Sequence, residues 1–209
     1  MRINEFSFLI GGEAGAGISR SGFLFAKACM RGGLHVFGVN DYQSLIRGGH
    51  NFYIARIDKK EIFSQTDLVD LVISLNSETV VLHKNDLAPN GGILYDMDDA
   101  TLNAEALGRR DLTLYPIPLK RIVKDELKEQ PLMRNTVAIG AAVALVDYDL
   151  ALLEEVLKDT FKAEVAETNI KAARTGYSYI KQNFKEAFNC KLEKTENAGK
   201  KRIFLSGNE

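Results

Sequence analysis

The stretch Gly11-Gly12-Glu13-Ala14-Gly15-Ala16-Gly17 follows a short β-prone run and leads straight into residues of helical spacing. Glycines at such a junction permit positive φ and close approach to the backbone, while the unbonded N–H groups and dipole of a helix start favour an anion. The chemistry this suggests is the cradling of a phosphate or carboxylate at the carboxyl edge of a sheet. Two familiar phosphate-binding patterns come close and fail. A dinucleotide fingerprint GxGxxG begun at Gly15 needs glycine where Arg20 stands, and GxxxxGK[ST] begun at Gly12 meets Ile18 in place of lysine, with Ser19 in position. The missing lysine argues against an NTPase, and a tight turn that binds nothing stays open as the plainer alternative.

A second constellation runs from Asn40 to Asn51. In it Ser44 and Arg47 precede Gly48-Gly49 just ahead of a strand-like run, so a guanidinium carried by pliable backbone is placed to fork onto a carboxylate or phosphate. A solvated turn arginine is the alternative. Asp41 matches the acid that holds a ribose in dinucleotide folds, or is a plain turn aspartate. Cys29 and Cys190 lie far apart without CxxC spacing, which excludes an iron-sulfur ligand run and reads as two free thiols. His35, His50 and His83 show no HxxxH or HExxH spacing and read as solvated or core-edge residues. No metal ligand and no catalytic proton carrier is assigned.

The elements that must hold these residues alternate. Ile3 to Ile10 is strand-like and stops at Gly11-Gly12; a helix carries Phe23, Leu24, Ala28 and Met30; Gly32-Gly33 ends it; His35 to Val39 forms a second strand. That β-α-β order implies a parallel pair with a right-handed crossover. Asn51 to Ile57 is a further strand, Leu68 to Leu75 a central strand buried on both faces, and Asn76 or Ser77 the N-cap of a helix through Val80 to Leu82. Ile93 to Asp96 and Leu112 to Ile117 follow as strands. A helix from Val137 to Leu145, apolar all round, must be deeply buried, and two amphipathic helices beyond it are expected to cover the sheet. The fold class is therefore α/β: a Rossmann-like, doubly wound, mainly parallel sheet with flanking helices and a helical C-terminal part. Residues 189–201 are polar and charge-alternating and read as a linker, and Arg202 to Leu205 as a short strand-like run with nothing to pack against.

Composition sets the outer bounds. Of 209 residues, 45% are hydrophobic and 26% charged, and 27 basic against 28 acidic side chains leave a net charge of -1. That field is too weak to hold nucleic acid or an anionic membrane, so any anion must be met by a local site. Thr136 to Val146, the longest apolar segment, is too short to span a bilayer. A cytoplasmic protein is expected.

The GGEAGAG loop with its helix, the SLIRGGHN segment with its strand, and the helix start Asn135-Thr136-Val137-Ala138-Ile139-Gly140 together resemble, in that order, the gamma domain of pyruvate and 2-oxoglutarate ferredoxin oxidoreductases. The resemblance covers roughly Ile3 to Phe184 and implies a component of a 2-oxoacid:ferredoxin oxidoreductase that is inactive alone. It implies alpha and beta partners, ferredoxin through the complex, and a possible homodimer. The cofactors it implies, thiamine diphosphate, magnesium, iron-sulfur clusters and coenzyme A, belong to the complex, with none bound by this chain alone. Gly12, Glu13, Gly15 and Gly17, with Ser44, Arg47, Gly48 and Gly49, are placed by it on the face toward the cofactor-bearing domains. It also divides the chain into a gamma domain at 1–188, a linker at 189–201 and, at 202–209, the opening of a pyrimidine-binding domain for thiamine diphosphate in a longer polypeptide. SLIRGGHN leans toward 2-oxoglutarate-type relatives. A free-standing nucleotide- or dinucleotide-binding protein and a purely structural module are the other readings.

Overall fold

Alternation of apolar side chains sets two faces on every central strand, and the chain covers both. A computed structural model describes residues 1–41, 49–99, 101–200 and 202–204. A short strand, β1 (Arg2–Ile3), turns at Asn4 into β2 (Glu5–Glu13). Phe6, Phe8 and Ile10 of β2 point into one core and Leu9 into the other, the period-two pattern of a strand between two layers. The strand does not stop at Gly11-Gly12 but runs through both to Glu13, because β4 stays paired with it that far, while the pairing with β5 ends at Gly11. Helix α1 (Ile18–Arg31) follows, then β3 (His35–Asp41), β4 (His50–Asp58) and β5 (Val69–Ser74). All of β5 is buried, as its run Leu71-Val72-Ile73 predicts, and its buried Asp70 accepts from Ser7 N at 2.8 Å.

Helix α2 (Ser77–His83) is capped by the Asn76 side chain, which accepts from Thr79 N at 3.1 Å. Then come β6 (Leu87–Asp96), α3 (Ala104–Leu107) and β7 (Thr113–Ile117). A single turn, α4 (Leu119–Arg121), widens into a π-helical turn at Ile122–Leu127, which Lys128 ends at φ 58°. A 3-10 turn at Pro131–Met133 leads into α5 (Arg134–Leu145), followed by α6 (Leu150–Thr160), α7 (Ala163–Asn183) and β8 (Cys190–Lys191).

The six-stranded sheet has the order β3-β4-β2-β5-β6-β7. β2, β5, β6 and β7 are mutually parallel, and β4 runs against both β2 and β3. The expected β2–β3 parallel pair is thus not made. Helix α1 carries the chain past one position, and the return strand β4 fills the gap, matching β2 from Glu5↔Asp58 to Glu13↔His50. Period-two alternation is the same for either strand direction, so the sequence pattern does not distinguish the two arrangements.

One face is packed by α1 and by α5, whose residues after Arg134 are all buried. α6 and α7 do not cover the sheet as expected; they form an outer layer on α1 and α5, which already occupy it. The opposite face holds the smaller core around Leu9, Val72, Val80 and Ile93, beneath α2.

The polar stretch expected as a linker lies docked on this body. β8 pairs in parallel with β1, Leu192 is buried, and Thr195 donates from N to Gly32 O at 2.9 Å and from Oγ1 to Gly33 O at 3.0 Å. Residues 202–204 are not a strand, and they do pack: Phe204 stacks on Phe23 at 4.8 Å, and Arg202 donates to Leu34 O at 3.3 Å. Among the described residues no helix is long and apolar enough to cross a membrane.

Candidate functional site

Because β4 is reversed, its first residues and the last residues of β2 reach the same rim of the sheet. The two glycine-rich segments meet there. Ala14 N donates to Gly49 O at 3.0 Å, one step beyond the Glu13↔His50 pair. Ala16 N then donates to Glu13 O at 3.1 Å, closing a tight turn in which Gly15 sits at φ 86° and Gly17 at φ 74°. Both values lie where a Cβ is costly, so glycine is what lets the turn form. Asn135, at the start of α5, donates from Nδ2 to Ala16 O at 2.7 Å and fixes the turn from the helical side.

Gly17 caps α1 without a side-chain acceptor, and no acidic residue stands in the first helical turn. The first intrahelical bond is that of Ser21 N to Gly17 O, which leaves the N–H groups of Ile18, Ser19 and Arg20 ahead of it directed along the helix axis. Such an end favours a negative group. Glu13 and Gly15 are exposed, while Gly12 is buried with a packing reason of its own: a Cβ there would stand 2.7 Å from Ile18 Cδ1. Of the eight residues expected at the site, Gly12, Glu13, Gly15, Gly17 and Gly49 are therefore brought together. Ser44, Arg47 and Gly48 lie outside the described residues.

Asp41 ends β3, and β4 separates that strand from β2. Two strand spacings, about 9–10 Å, part Asp41 from the glycine turn's strand, whereas the ribose-binding acid of a dinucleotide fold stands on the adjacent one. That displacement disfavours the dinucleotide reading.

Two polar groupings at the same end went unread in the sequence. Asp96, at the end of β6, is buried and accepts from Asp98 N and Leu119 N at 3.1 Å each, with Arg134 Nη1 at 3.6 Å from its Oδ2. Burial raises its carboxyl above the ordinary range, while the Asp98 N–H opposes the shift. The other is His50, whose Nε2 stands 2.8 Å from Nε2 of His83. Burial first, then His83, hold the His50 ring below its ordinary pKa, against Glu78 and Asp41. The only sequence signals were the adjacency of Arg134 to Asn135 and of His50 to Gly49. Nothing in linear spacing joins His50 to His83.

Both cysteines are free and buried; burial drives the Cys29 thiol far up and the Cys190 thiol to about 12. Among the described residues no group of three or more His, Cys, Asp or Glu side chains is placed to hold a metal ion. An open groove of about 940 Å³ runs between the π-helical turn and α7, and no residue of the glycine rim lines it.

The family model for pyruvate ferredoxin/flavodoxin oxidoreductase matches residues 7–179. The 2-oxoacid:ferredoxin oxidoreductase subunit alpha of Sulfolobus sp is 26% identical over 242 aligned residues, covering 98% of this chain and 37% of its own length. The 2-oxoglutarate synthase subunit KorC of Methanocaldococcus jannaschii is 25% identical over 176 residues, 83% of this chain and 92% of its own. Among solved structures, 2-oxoglutarate:ferredoxin oxidoreductase from Magnetococcus marinus, with 2-oxoglutarate, coenzyme A and succinyl-CoA bound, superposes with a TM-score of 0.82 at 27% identity over 93% of this chain and 34% of that one. The keto/oxoacid ferredoxin oxidoreductase gamma subunit from Geobacter sulfurreducens has the same fold, with a TM-score of 0.71 at 21% identity over 83% of this chain and 96% of that one. The chain spans little more than a third of the first curated relatives it matches.

Proposed function

The chain belongs to the pyruvate ferredoxin/flavodoxin oxidoreductase family, and from that premise we propose that it is the gamma-type component of a thiamine-dependent 2-oxoacid:ferredoxin oxidoreductase, inactive alone. The reaction class is oxidative decarboxylation of a 2-oxoacid to acyl-CoA with electrons passed to ferredoxin. One observation carries the reading: the Ala14 N to Gly49 O hydrogen bond that seats both glycine-rich turns on one rim beside the start of α1. That arrangement supports a contact for the anionic part of a substrate or of coenzyme A presented by another part of the assembly.

In this role the N–H groups at the start of α1 meet the negative group, Asn135 keeps the turn in place, and Arg47 adds a forked donor. Thiamine diphosphate with magnesium would supply the carbanion chemistry, and the iron-sulfur clusters the electron path. The described residues fit neither, since both thiols are buried and no acidic ligand set is assembled, so the proposal gives these groups to the alpha and beta components. Residues 1–188 are read as the gamma unit. Ferredoxin is reached through the complex, which is placed in the cytoplasm and leans toward 2-oxoglutarate, as do two of the relatives by name.

Ferredoxin reduction by the chain combined with its alpha and beta components tests this. It should depend on 2-oxoacid and coenzyme A, and Arg47→Ala should lower kcat/KM for coenzyme A by roughly tenfold to a hundredfold, the worth of a charge-assisted hydrogen bond. An unchanged kcat/KM would favour a structural module. Tight binding of a nicotinamide nucleotide by the chain would favour the free-standing dinucleotide reading.

A further inference from the structure

An outer strand that is long, regular and apolar offers an unpaired row of N–H and C=O groups, and soluble proteins blunt such rows or cover them. The two outer strands of the six-stranded sheet differ in this respect. β7 is short and carries Pro116, which has no N–H to offer. β3 runs for seven residues, His35-Val36-Phe37-Gly38-Val39-Asn40-Asp41, without proline or lysine, and its ladder with β4 is unbroken from His35↔Asp58 to Asp41↔Phe52. Among the described residues, no main-chain hydrogen bond other than those of that ladder reaches it. The Gln65 side chain donates to Phe37 O at 3.0 Å, but it also donates to Ile54 O at 3.3 Å, so it lies over the seam with β4 and not along the outer edge. Val39 is 42% exposed.

The order of the side chains says what fits that edge. Laid antiparallel on a second β3 about Gly38, the strand is complementary to itself: His35 stands opposite Asp41, Val36 opposite Asn40, Phe37 opposite Val39, and Gly38 opposite Gly38. Each end then joins an imidazole to a carboxylate, and the twofold axis makes that pair twice. Laid parallel in register, the same strand sets Asp41 against Asp41. The sheet register puts Phe37 and Val39 on the face of Ile54 and Leu9, so antiparallel pairing also brings Phe37 and Val39 of one copy against Val39 and Phe37 of the other. At the centre Gly38 has no side chain to hold two backbones apart, and it is fixed as glycine because a Cβ there would run into the Tyr53 hydroxyl.

We propose that β3 is a dimer edge, along which two copies of this chain pair antiparallel through His35–Asp41 about Gly38 and join their sheets into one. The pairing is independent of the function proposed above. Seven residues a side bury less than a standard interface, so the dimer should dissociate in the micromolar range.

Sedimentation equilibrium of the 209-residue chain should show a reversible monomer–dimer equilibrium, and a chain still monomeric at ~100 µM would overturn the proposal. Crosslinking reads the register. With His35→Cys and Asp41→Cys in the same chain, the two thiols of each end sit on Cα atoms about 4.5–5.5 Å apart across the dimer, within disulfide reach. Diamide should therefore give a covalent dimer from the double variant. Either single variant should stay monomeric on a denaturing gel, because its thiol lies roughly 20 Å from its counterpart. Cys29 and Cys190 are buried and do not compete. Asp41→Lys turns attraction into repulsion at both ends and should weaken the dimer by roughly tenfold, with thermal unfolding used to confirm that the fold is kept. Single variants that crosslink as readily as the double one, or unchanged sedimentation of Asp41→Lys, would overturn the register and the proposal with it. Protection of the β3 amides from hydrogen exchange only when the alpha and beta components are added would give the edge to another chain and overturn the homodimer.

Discussion

Glycines at the rim and glycines at the α5–α7 crossing stand in opposite surroundings. A Cβ on Gly15 would meet nothing within 4 Å, and the residue is required for its φ of 86°. A Cβ on Gly140 would come within 2.7 Å of the Ala173 Cα, and one on Gly176 within 2.8 Å of the Val137 carbonyl carbon, so these two are required for the distance between helix axes. The same residue type opens a surface in one place and closes a packing gap in the other. Helix α5 joins the two regions, because its first turn supplies Asn135 to the rim and its middle supplies Gly140 to the crossing.

The contrast can be broken by substitution. Gly140→Leu forces backbone apart in a close-packed interior with no flexible end to yield, and should destabilise the chain by more than about 4 kcal/mol, read by urea unfolding or as failure to fold. Gly15→Ala should cost only about 1 kcal/mol, the strain of a left-handed residue, and leave the unfolding slope unchanged. Equal losses for the two would mean that the rim is packed as tightly as the crossing. The smallest effect concerns charge. Val137, Gly140, Ala141, Ala173 and Gly176 carry no titrating group, whereas His50 at the rim is held below its ordinary value of 6.5, chiefly by burial. The unfolded chain then binds the extra proton first. The His50 contribution to stability is complete above about pH 6.5 and is lost as pH falls from there toward the lowered folded value. Unfolding curves across that window should slope less in His50→Phe than in the parent.

What the sequence made readable follows from which signals are local. The strand, turn and helix around Gly15, the Asn76 cap and the all-round apolar α5 rest on neighbouring residues and match the structure. The neighbour of β2 was misread because β3 comes next in the chain, while hydrogen bonding to the edge of β2 is won by β4. The outer position of α7 was missed for a like reason: an amphipathic stripe reports that a face is covered, not by which layer. At the site, Gly15, Gly17 and Gly49 were legible as backbone features. The His50–His83 contact was not, since 33 residues and a full strand separate the partners. Docking of residues 189–199 was hidden by their polarity, because Thr195 N and Gly199 N bond the carbonyls of Gly32 and Arg31, contacts that any composition can offer, and the Thr195 hydroxyl adds a bond to Gly33 O that no linear pattern announces.

The reversal of β4 makes its ladder with β2 a common ruler for both turns. Sequence within either turn is free to drift, but length along the ladder is not. Deleting one residue between Asn51 and Asp58 would slide Gly49 by about 3.4 Å and swing the ring of His50 to the opposite side of the sheet. Insertions and deletions should therefore be tolerated outside this strand pair far more readily than within it.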